Sequence, residues 1–303
     1  MLILLRSAIV ALLAGSISSS ANAFIPTQHR HQHVQSLRAG SAASSLQPTD
    51  ANMHATYEAL ASRAAAAAAA LPAGKQWWCA IAGGPGAGKS TLAQGVADAC
   101  LRAHRVRAAV LPMDGFHFSR AELKRLDPPD AATLLPRRGA PATFDAEGLG
   151  SALAAAKDAK VAQLPTYSRE LSDPVPGGAV LHPEDRIVLV EGNYLLLGRL
   201  FPSGAKAAAG EEAAAVAKEA ARWRPLLPLF DETWFVAPEG GVHEQRRRLV
   251  ARHLETWSPA KTKAWGASTD EEGAEKRTDF NDVPNAWLVD RCRHFADHVV
   301  LSI

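Results

Sequence analysis

Not one Asp or Glu occurs in the first 49 residues of this chain. An acid-free stretch carrying Arg6, Arg30 and Arg38 with several His and Ser has the composition of a targeting segment rather than of a folded body. It also lacks an apolar run long enough to span a bilayer: the one from Ala8 to Leu13 is short and Arg6 lies just before it. That run, a serine cluster and Ala21-Asn22-Ala23 have the parts of a secretory signal. The acid-poor stretch that follows opens on Phe24, so residues 1–49 resemble the two-part plastid presequence of algae with complex plastids. Plastid import is the expectation, with the secretory pathway or the mitochondrion as alternatives, and no membrane attachment is expected of the mature form. Cysteine is scarce too. Cys79, Cys100 and Cys292 have no metal-ligand spacing and cannot all pair, so they read as reduced, buried thiols, with a redox pair as the alternative. No internal repeat is visible.

Charge of either sign is also missing in excess. The whole chain is +2, but beyond residue 49 there remain 30 basic against 31 acidic side chains, a net −1. A nucleic-acid partner is therefore not indicated. The roughly 250 residues from position 50 onward suffice for one large domain with its own core. Oligomeric state is not legible.

What is present centres on Trp77-Trp78-Cys79-Ala80-Ile81-Ala82, an apolar run that reads as a buried strand and leads into Gly83-Gly84-Pro85-Gly86-Ala87-Gly88-Lys89-Ser90-Thr91. A strand, a Gly-x-x-x-x-Gly-Lys-Ser loop and a helical pattern in that order form a phosphate cradle. The glycines let backbone amides turn inward on phosphate oxygens, and the following helix points its unpaired N–H groups at the same anion. Lys89 is placed to reach the β- and γ-phosphates, and the Ser90 hydroxyl to complete a magnesium shell.

Downstream, Arg107 to Met113 reads as a second strand that delivers Asp114-Gly115-Phe116-His117. A carboxylate at the carboxyl end of such a strand sits where ligands bind in open α/β sheets, so Asp114 is the candidate catalytic carboxylate; a turn or helix-cap role is the alternative. His117 reads as a packing residue. Ile187-Val188-Leu189-Val190 has the continuous β-branched character of a strand buried on both faces, and Glu191 at its end is the second metal-holding candidate beside Ser90.

Residues 51–71, with seven consecutive alanines, read as a helix ended by Pro72 and Gly74. Leu126 to Ala142 reads as a loop in which Arg137-Arg138 are a solvated pair or bind an anionic substrate. Asp145 caps a helix from Ala146 to Lys157; Pro165-Thr166-Tyr167-Ser168-Arg169 is extended; Asp173 to Gly178 turns the chain back. Residues 203–222 read as a solvated helical insertion dispensable for chemistry. Asp231 to Val236 is a strand, and His243 to Leu254 a basic helix whose Arg248 and Arg252 share a face, whereas Arg246 and Arg247 are solvated. Lys261 to Thr278 is loop-like, and His298 to Ile303 a last strand.

In order, Gly83 to Leu92, Pro112-Met113-Asp114-Gly115-Phe116-His117, Thr143-Phe144-Asp145, Pro165 to Arg169, Glu191-Gly192-Asn193-Tyr194-Leu195-Leu196, Arg248 to Arg252 and Asn281-Asp282-Val283-Pro284-Asn285 resemble the phosphoribulokinase/uridine kinase superfamily, over residues 77 to 290. Within it they look most like the branch of bacterial kinases linked to fructose transport, with bacterial pantothenate kinase a near relative. The resemblance implies ATP and magnesium, Asp114 as base or hydroxyl-orienting residue, Asp145, Tyr167 and Arg169 near the acceptor, and Arg248 and Arg252 acting in a lid. The Asp-Ser-Phe-Tyr motif typical of uridine kinases is absent, as is the plant phosphoribulokinase set, so neither uridine nor ribulose 5-phosphate is implied. The expectation is a three-layer α/β P-loop NTPase fold with a mostly parallel sheet, transferring the γ-phosphoryl of ATP to a hydroxyl of a small metabolite such as a sugar, nucleoside or pantothenate-like acid. A P-loop ATPase or switch without an acceptor is the alternative; for a GTP-driven one, the Asn-Lys-x-Asp motif is lacking.

Overall fold

The structure is a computed structural model that describes residues 53–127, 133–202 and 211–303. Residues 1–49, on which the targeting expectation falls, the Pro/Asp stretch 128–132 and residues 203–210 lie outside the described residues. Among the described residues no helix is long and apolar enough to cross a membrane.

Every residue of β1 (Trp77–Ala82) is buried. It lies at the centre of a five-stranded sheet with β2 (Ala108–Pro112), β5 (Ile187–Gly192), β6 (Glu232–Pro238) and β7 (His298–Ser302), in the order β2-β5-β1-β6-β7. All neighbouring pairs are parallel. A parallel sheet is covered on both faces, which is why β1 and the Ile187–Val190 run of β5 are continuously apolar rather than alternating. Alternate side chains feed opposite cores. Trp77, Cys79, Ile81, Ile187 and Leu189 pack under α1 (His54–Ala70) and α2 (Lys89–His104); Trp78, Ala80, Val188 and Val190 face Phe144, Leu149, Leu153 and Trp223 on the other side. The alanine run of α1 lets that helix settle closely on α2, burying Leu60, Ala61, Ala64 and Ala68.

On the second face stand α4 (Ala146–Ala159), capped by Asp145, and α5 (Glu211–Trp223). Two expectations fail here. The 203–222 insertion is not wholly solvated: from Glu211 it is a helix that buries Ala213 and Ala220 and ends on the fully buried Trp223. Asp173 to Gly178 is no turn but the start of β4 (Asp173–Leu181), antiparallel to β3 (Ala162–Ser168), and the chain reverses at Arg169–Ser172 instead. Pro174 and Pro176 are tolerated because this two-stranded hairpin exposes the edges on which a missing N–H costs nothing.

A third difference lies in the polar stretch after α6 (Gly241–Leu254). Residues 261–278 are not loop-like but hold most of α7 (Pro259–Ala264) and α8 (Asp270–Arg277), continued by a π-turn at Thr278–Asp282 and α9 (Val283–Asp290). α8 buries only Gly273 and Ala274, so hydrophobic periodicity carried no signal; its start is marked instead by Thr269, whose Oγ1 accepts from Glu272 N at 3.2 Å. A short α3 (Arg120–Leu126) opens the 126–142 loop, with a capping box between Ser119 and Glu122. All three cysteines are free and buried, and burial raises Cys100 to about 11 and Cys292 to about 12, away from thiolate chemistry.

Candidate active site

Three neighbouring strands deliver the chemistry to one sheet edge. In register, Ile81 of β1 pairs with Glu191 of β5, and Glu191 with Pro112 of β2. The phosphate loop begins two residues beyond Ile81 and Asp114 lies two residues beyond Pro112. With strands about 4.8 Å apart, loop, carboxylate and second carboxylate stand side by side.

In the loop, Gly86 and Gly88 take φ of 76° and 93°, values a side chain resists, and Gly88 opens α2. Lys89, 8% exposed, donates from Nζ to Gly84 O at 3.1 Å and to Asn193 Oδ1 at 2.7 Å. Burial lowers its pKa, while Glu191 and Asp114 oppose that shift. Ser90 Oγ donates to Glu191 Oε1 at 3.0 Å. Glu191 is likewise 8% exposed, and desolvation holds its carboxyl above the usual range against the pull of Lys89. Among the described residues no cluster of three or more His, Cys, Asp or Glu forms a metal site. A hydroxyl and a carboxylate in contact beside a phosphate cradle nevertheless fit magnesium, which takes one or two protein ligands and completes its shell with phosphate oxygens and water.

Asp114 lies on the turn Met113–Phe116. Its backbone carbonyl accepts from His117 N at 3.3 Å and His117 Nδ1 at 2.8 Å, and its carboxylate has no hydrogen bond among the described residues. Lys89, Glu191, His117, Tyr167 and Arg252 all feel its charge. The turn is pinned to the hairpin: a Cβ on Gly115 would lie 1.9 Å from Pro165 O. The His117 ring lies between Phe144, at 3.8 Å, and Tyr167, at 4.7 Å.

The remaining candidates divide. Asp145 is occupied as a helix cap, with Oδ1 accepting from Gly148 N at 2.8 Å. Tyr167 is on β3 by His117, and burial raises its pKa. Arg169, exposed on the hairpin turn, is felt by both Glu191 and Arg252. Arg252 has no ion pair among the described residues; burial and Arg169 lower its pKa, and Asp282 and Asp114 oppose. Arg248 instead bonds Glu244 Oε1 at 2.7 Å and approaches Ser302 Oγ at 3.3 Å, whose hydroxyl donates to Ala87 O of the loop at 2.8 Å. Arg246 and Arg247 pair with Asp279 and Glu244 on the outer face.

Arg137 and Arg138 are not the solvated pair that a Pro/Arg loop suggests. Arg138 donates to Ser172 O, to Phe118 O at 2.9 Å and to Asp173 Oδ1 at 2.8 Å, tying the loop to the hairpin. Sequence reasoning also gave no role to Asn193, the Lys89 partner, although it stands two residues after Glu191, or to Gln245, 1% exposed, whose Oε1 lies where a Cβ on Gly84 would come within 2.4 Å of it.

A central parallel strand, a glycine cradle and a lysine-serine helix start define a phosphate-loop nucleotide-binding protein. The Schizosaccharomyces pombe protein C227.14, provisionally named a uridine kinase, is 34% identical over 214 residues, 70% of this chain and 77% of its own length. The Aspergillus versicolor protein notR', named an ATP-dependent kinase-like protein, is 31% identical over 57% of this chain and 84% of its own. Among solved structures, a provisionally named fructose transport system kinase from Silicibacter sp. TM1040 superposes with a TM-score of 0.61 at 29% identity, covering 80% of this chain and 98% of its own. No family model matches the chain. It belongs to the phosphoribulokinase/uridine kinase superfamily of P-loop kinases.

Proposed function

We propose that this kinase uses magnesium-ATP to phosphorylate a hydroxyl of a small metabolite. The observation that carries this reading is the row of three groups at one sheet edge: Lys89 at the cradle, the Ser90–Glu191 contact at 3.0 Å beside it, and the free carboxylate of Asp114 on the far side of Glu191. A plain ATPase would have no use for the third.

In this reading the backbone amides of residues 84–90 and the start of α2 bind the phosphates, and Lys89 answers the charge that develops at the β–γ bridge. Ser90 and Glu191 would hold magnesium, which when bound neutralises β- and γ-phosphate oxygens. Asp114 orients the acceptor hydroxyl and takes its proton as the oxygen bonds to the γ-phosphorus and the bond to the bridging oxygen breaks, giving ADP and a phosphate monoester. Arg252 and Arg169, the former without an ion pair, stand by to neutralise the transferring group, and Arg248 steadies the outer side of the loop through Ser302.

The test is a screen of hydroxyl metabolites for acceptor-dependent ADP release by the full chain, with Lys89→Ala as control. The expected outcome is release with at least one acceptor and its loss in the variant, by on the order of a hundredfold or more. Equal ADP release with and without every acceptor would favour an ATPase, and undiminished turnover by Lys89→Ala would overturn the site.

A further inference from the structure

Among the described residues of the 126–142 loop, Arg137 is the one arginine whose guanidinium meets no acceptor. It lies over the Phe280 ring, 5.6 Å from the centroid; its Nε is buried with no partner, and no side-chain N–H of Arg137 donates to an acceptor among the described residues. Burial pushes its pKa down, and no carboxylate opposes this among the described residues. Its neighbour Arg138 has three acceptors and an aromatic ring. Packing accounts for the stem of Arg137, since a Met would cover Phe280 as well; it does not account for a half-buried guanidinium with no acceptor among the described residues. Beside Phe280, Asn281 is 2% exposed and its Oδ1 has no donor, while its Nδ2 donates to Arg138 O at 2.6 Å. A guanidinium on the Phe280 ring and an amide oxygen on the next residue are thus both without hydrogen-bond partners among the described residues.

Contacts join the loop of Arg137 to the turn of Asp114. Tyr194 donates its hydroxyl to Gly139 O, two residues after Arg137, and its ring packs edge-on against Phe144 with centroids 5.5 Å apart. Phe144 in turn lies 3.8 Å from the ring of His117, which bonds the Asp114 carbonyl. Arg137 thus belongs to a loop braced against the Asp114 turn, the side from which an acceptor would reach that carboxylate. A stacked guanidinium with its donor edge free is the geometry that takes a carboxylate or a phosphate oxygen pair.

We propose that Arg137 binds an anionic group of the acceptor, which makes the substrate a small alcohol bearing a carboxylate or a phosphate on the end away from the hydroxyl that is phosphorylated. The Asn281 Oδ1 would take a further hydroxyl of the same molecule. This rests on the kinase reading above. The anion is a recognition handle and takes no part in bond making: one P–O bond still breaks in ATP, one forms to the acceptor oxygen, and the proton leaves through Asp114.

The experiment compares two matched triads, glycerol with glycerate and glycerol 3-phosphate, and ribose with ribonate and ribose 5-phosphate, on the full chain. Binding is read calorimetrically in the presence of magnesium and a non-hydrolysable ATP analogue, and turnover as ADP release. At least one anionic member should bind about tenfold or more tighter than its neutral counterpart; Arg137→Met should erase that preference and Arg137→Lys keep part of it. Carboxylate and phosphate members separate the two sources of the anion. Nucleotide-analogue affinity in the variants reports that they are folded. No anionic preference in the wild type, or a preference that survives Arg137→Met, would overturn the inference. Preferential binding without ADP release from any member would sink the kinase reading and spare this one; release with neutral members alone would do the reverse.

Discussion

Asp114 sits in a turn that its own side chain does not stabilise. A turn aspartate ordinarily bonds a backbone N–H one or two residues on; here the backbone carbonyl of Asp114 holds the turn and the carboxylate is left to the site. Asp114→Asn keeps the shape and removes the charge. ATP affinity should stay within a few-fold while acceptor phosphorylation falls on the order of a hundredfold, the range for a lost acid–base group. Loss of nucleotide binding instead, with normal turnover per bound nucleotide, would make Asp114 a metal-holding residue. Glu244 offers a pH test. Two guanidinium partners, Arg247 and Arg248, lower its pKa to about 2. A depressed carboxylate contributes stability above its unfolded value, lost only as pH falls through the folded one, so the Arg248 fork should persist down to about pH 2. The Glu244 carboxyl carbon shift followed by NMR should show that midpoint; titration near 4.5 would mean that Arg248 is not held this way.

In α5 the compositional reading holds for the helix and fails for its solvation. The Ala/Glu/Lys stretch is helical from Glu211 but buries Ala213 and Ala220, Arg222 donates to Phe144 O at 3.0 Å, and one residue further Trp223 packs on Tyr194 at 5.3 Å and on Phe144 at 6.0 Å. Phe144 in turn stacks on His117. The helix thereby supports the turn of Asp114 from behind. Trp223→Ala should cost about 3–5 kcal/mol by urea denaturation, as large aromatic truncations in a core do. A loss below about 1 kcal/mol would return α5 to the role of a dispensable insertion. α8 failed for the opposite reason: a helix that buries only small residues has no apolar stripe to read.

For the whole molecule, we propose that the acid-free segment 1–49 directs this near-neutral kinase to a plastid. Residues 1–49 fused to a fluorescent protein should label plastids, and Phe24→Ala should divert the signal. Cytosolic fluorescence from the unaltered fusion would remove the idea. The same scale explains why the site exists at all. Residues 83, 114 and 191 are far apart in the chain, and they meet because strands β2, β5 and β1 are adjacent and in register. Because every neighbouring pair is parallel, each strand's carboxyl end comes to the same edge of the sheet.

By itself the sequence determined the local structure around the candidate site. A glycine loop between a buried strand and a helix admits few conformations, so the positions of Lys89 and Ser90 at a helix start were legible, as were those of Asp114 and Glu191 at the ends of apolar runs. Strand identity was readable in the central β1 and β5 because burial on both faces leaves a continuous apolar run, and in the edge strands β2 and β7 from shorter apolar runs whose residues are alternately buried. Only the tertiary structure decided which polar groups are satisfied. Arg138 and Arg137 are adjacent and of one type, yet the guanidinium of one meets three acceptors and that of the other none among the described residues, because the acceptors come from the hairpin and from Phe118, elements distant in sequence. Arg248 and Arg252 share a spacing, yet Glu244 engages the first and leaves the second open toward Asp114. Pairing of charges depends on distance in space, and spacing along one chain does not contain it.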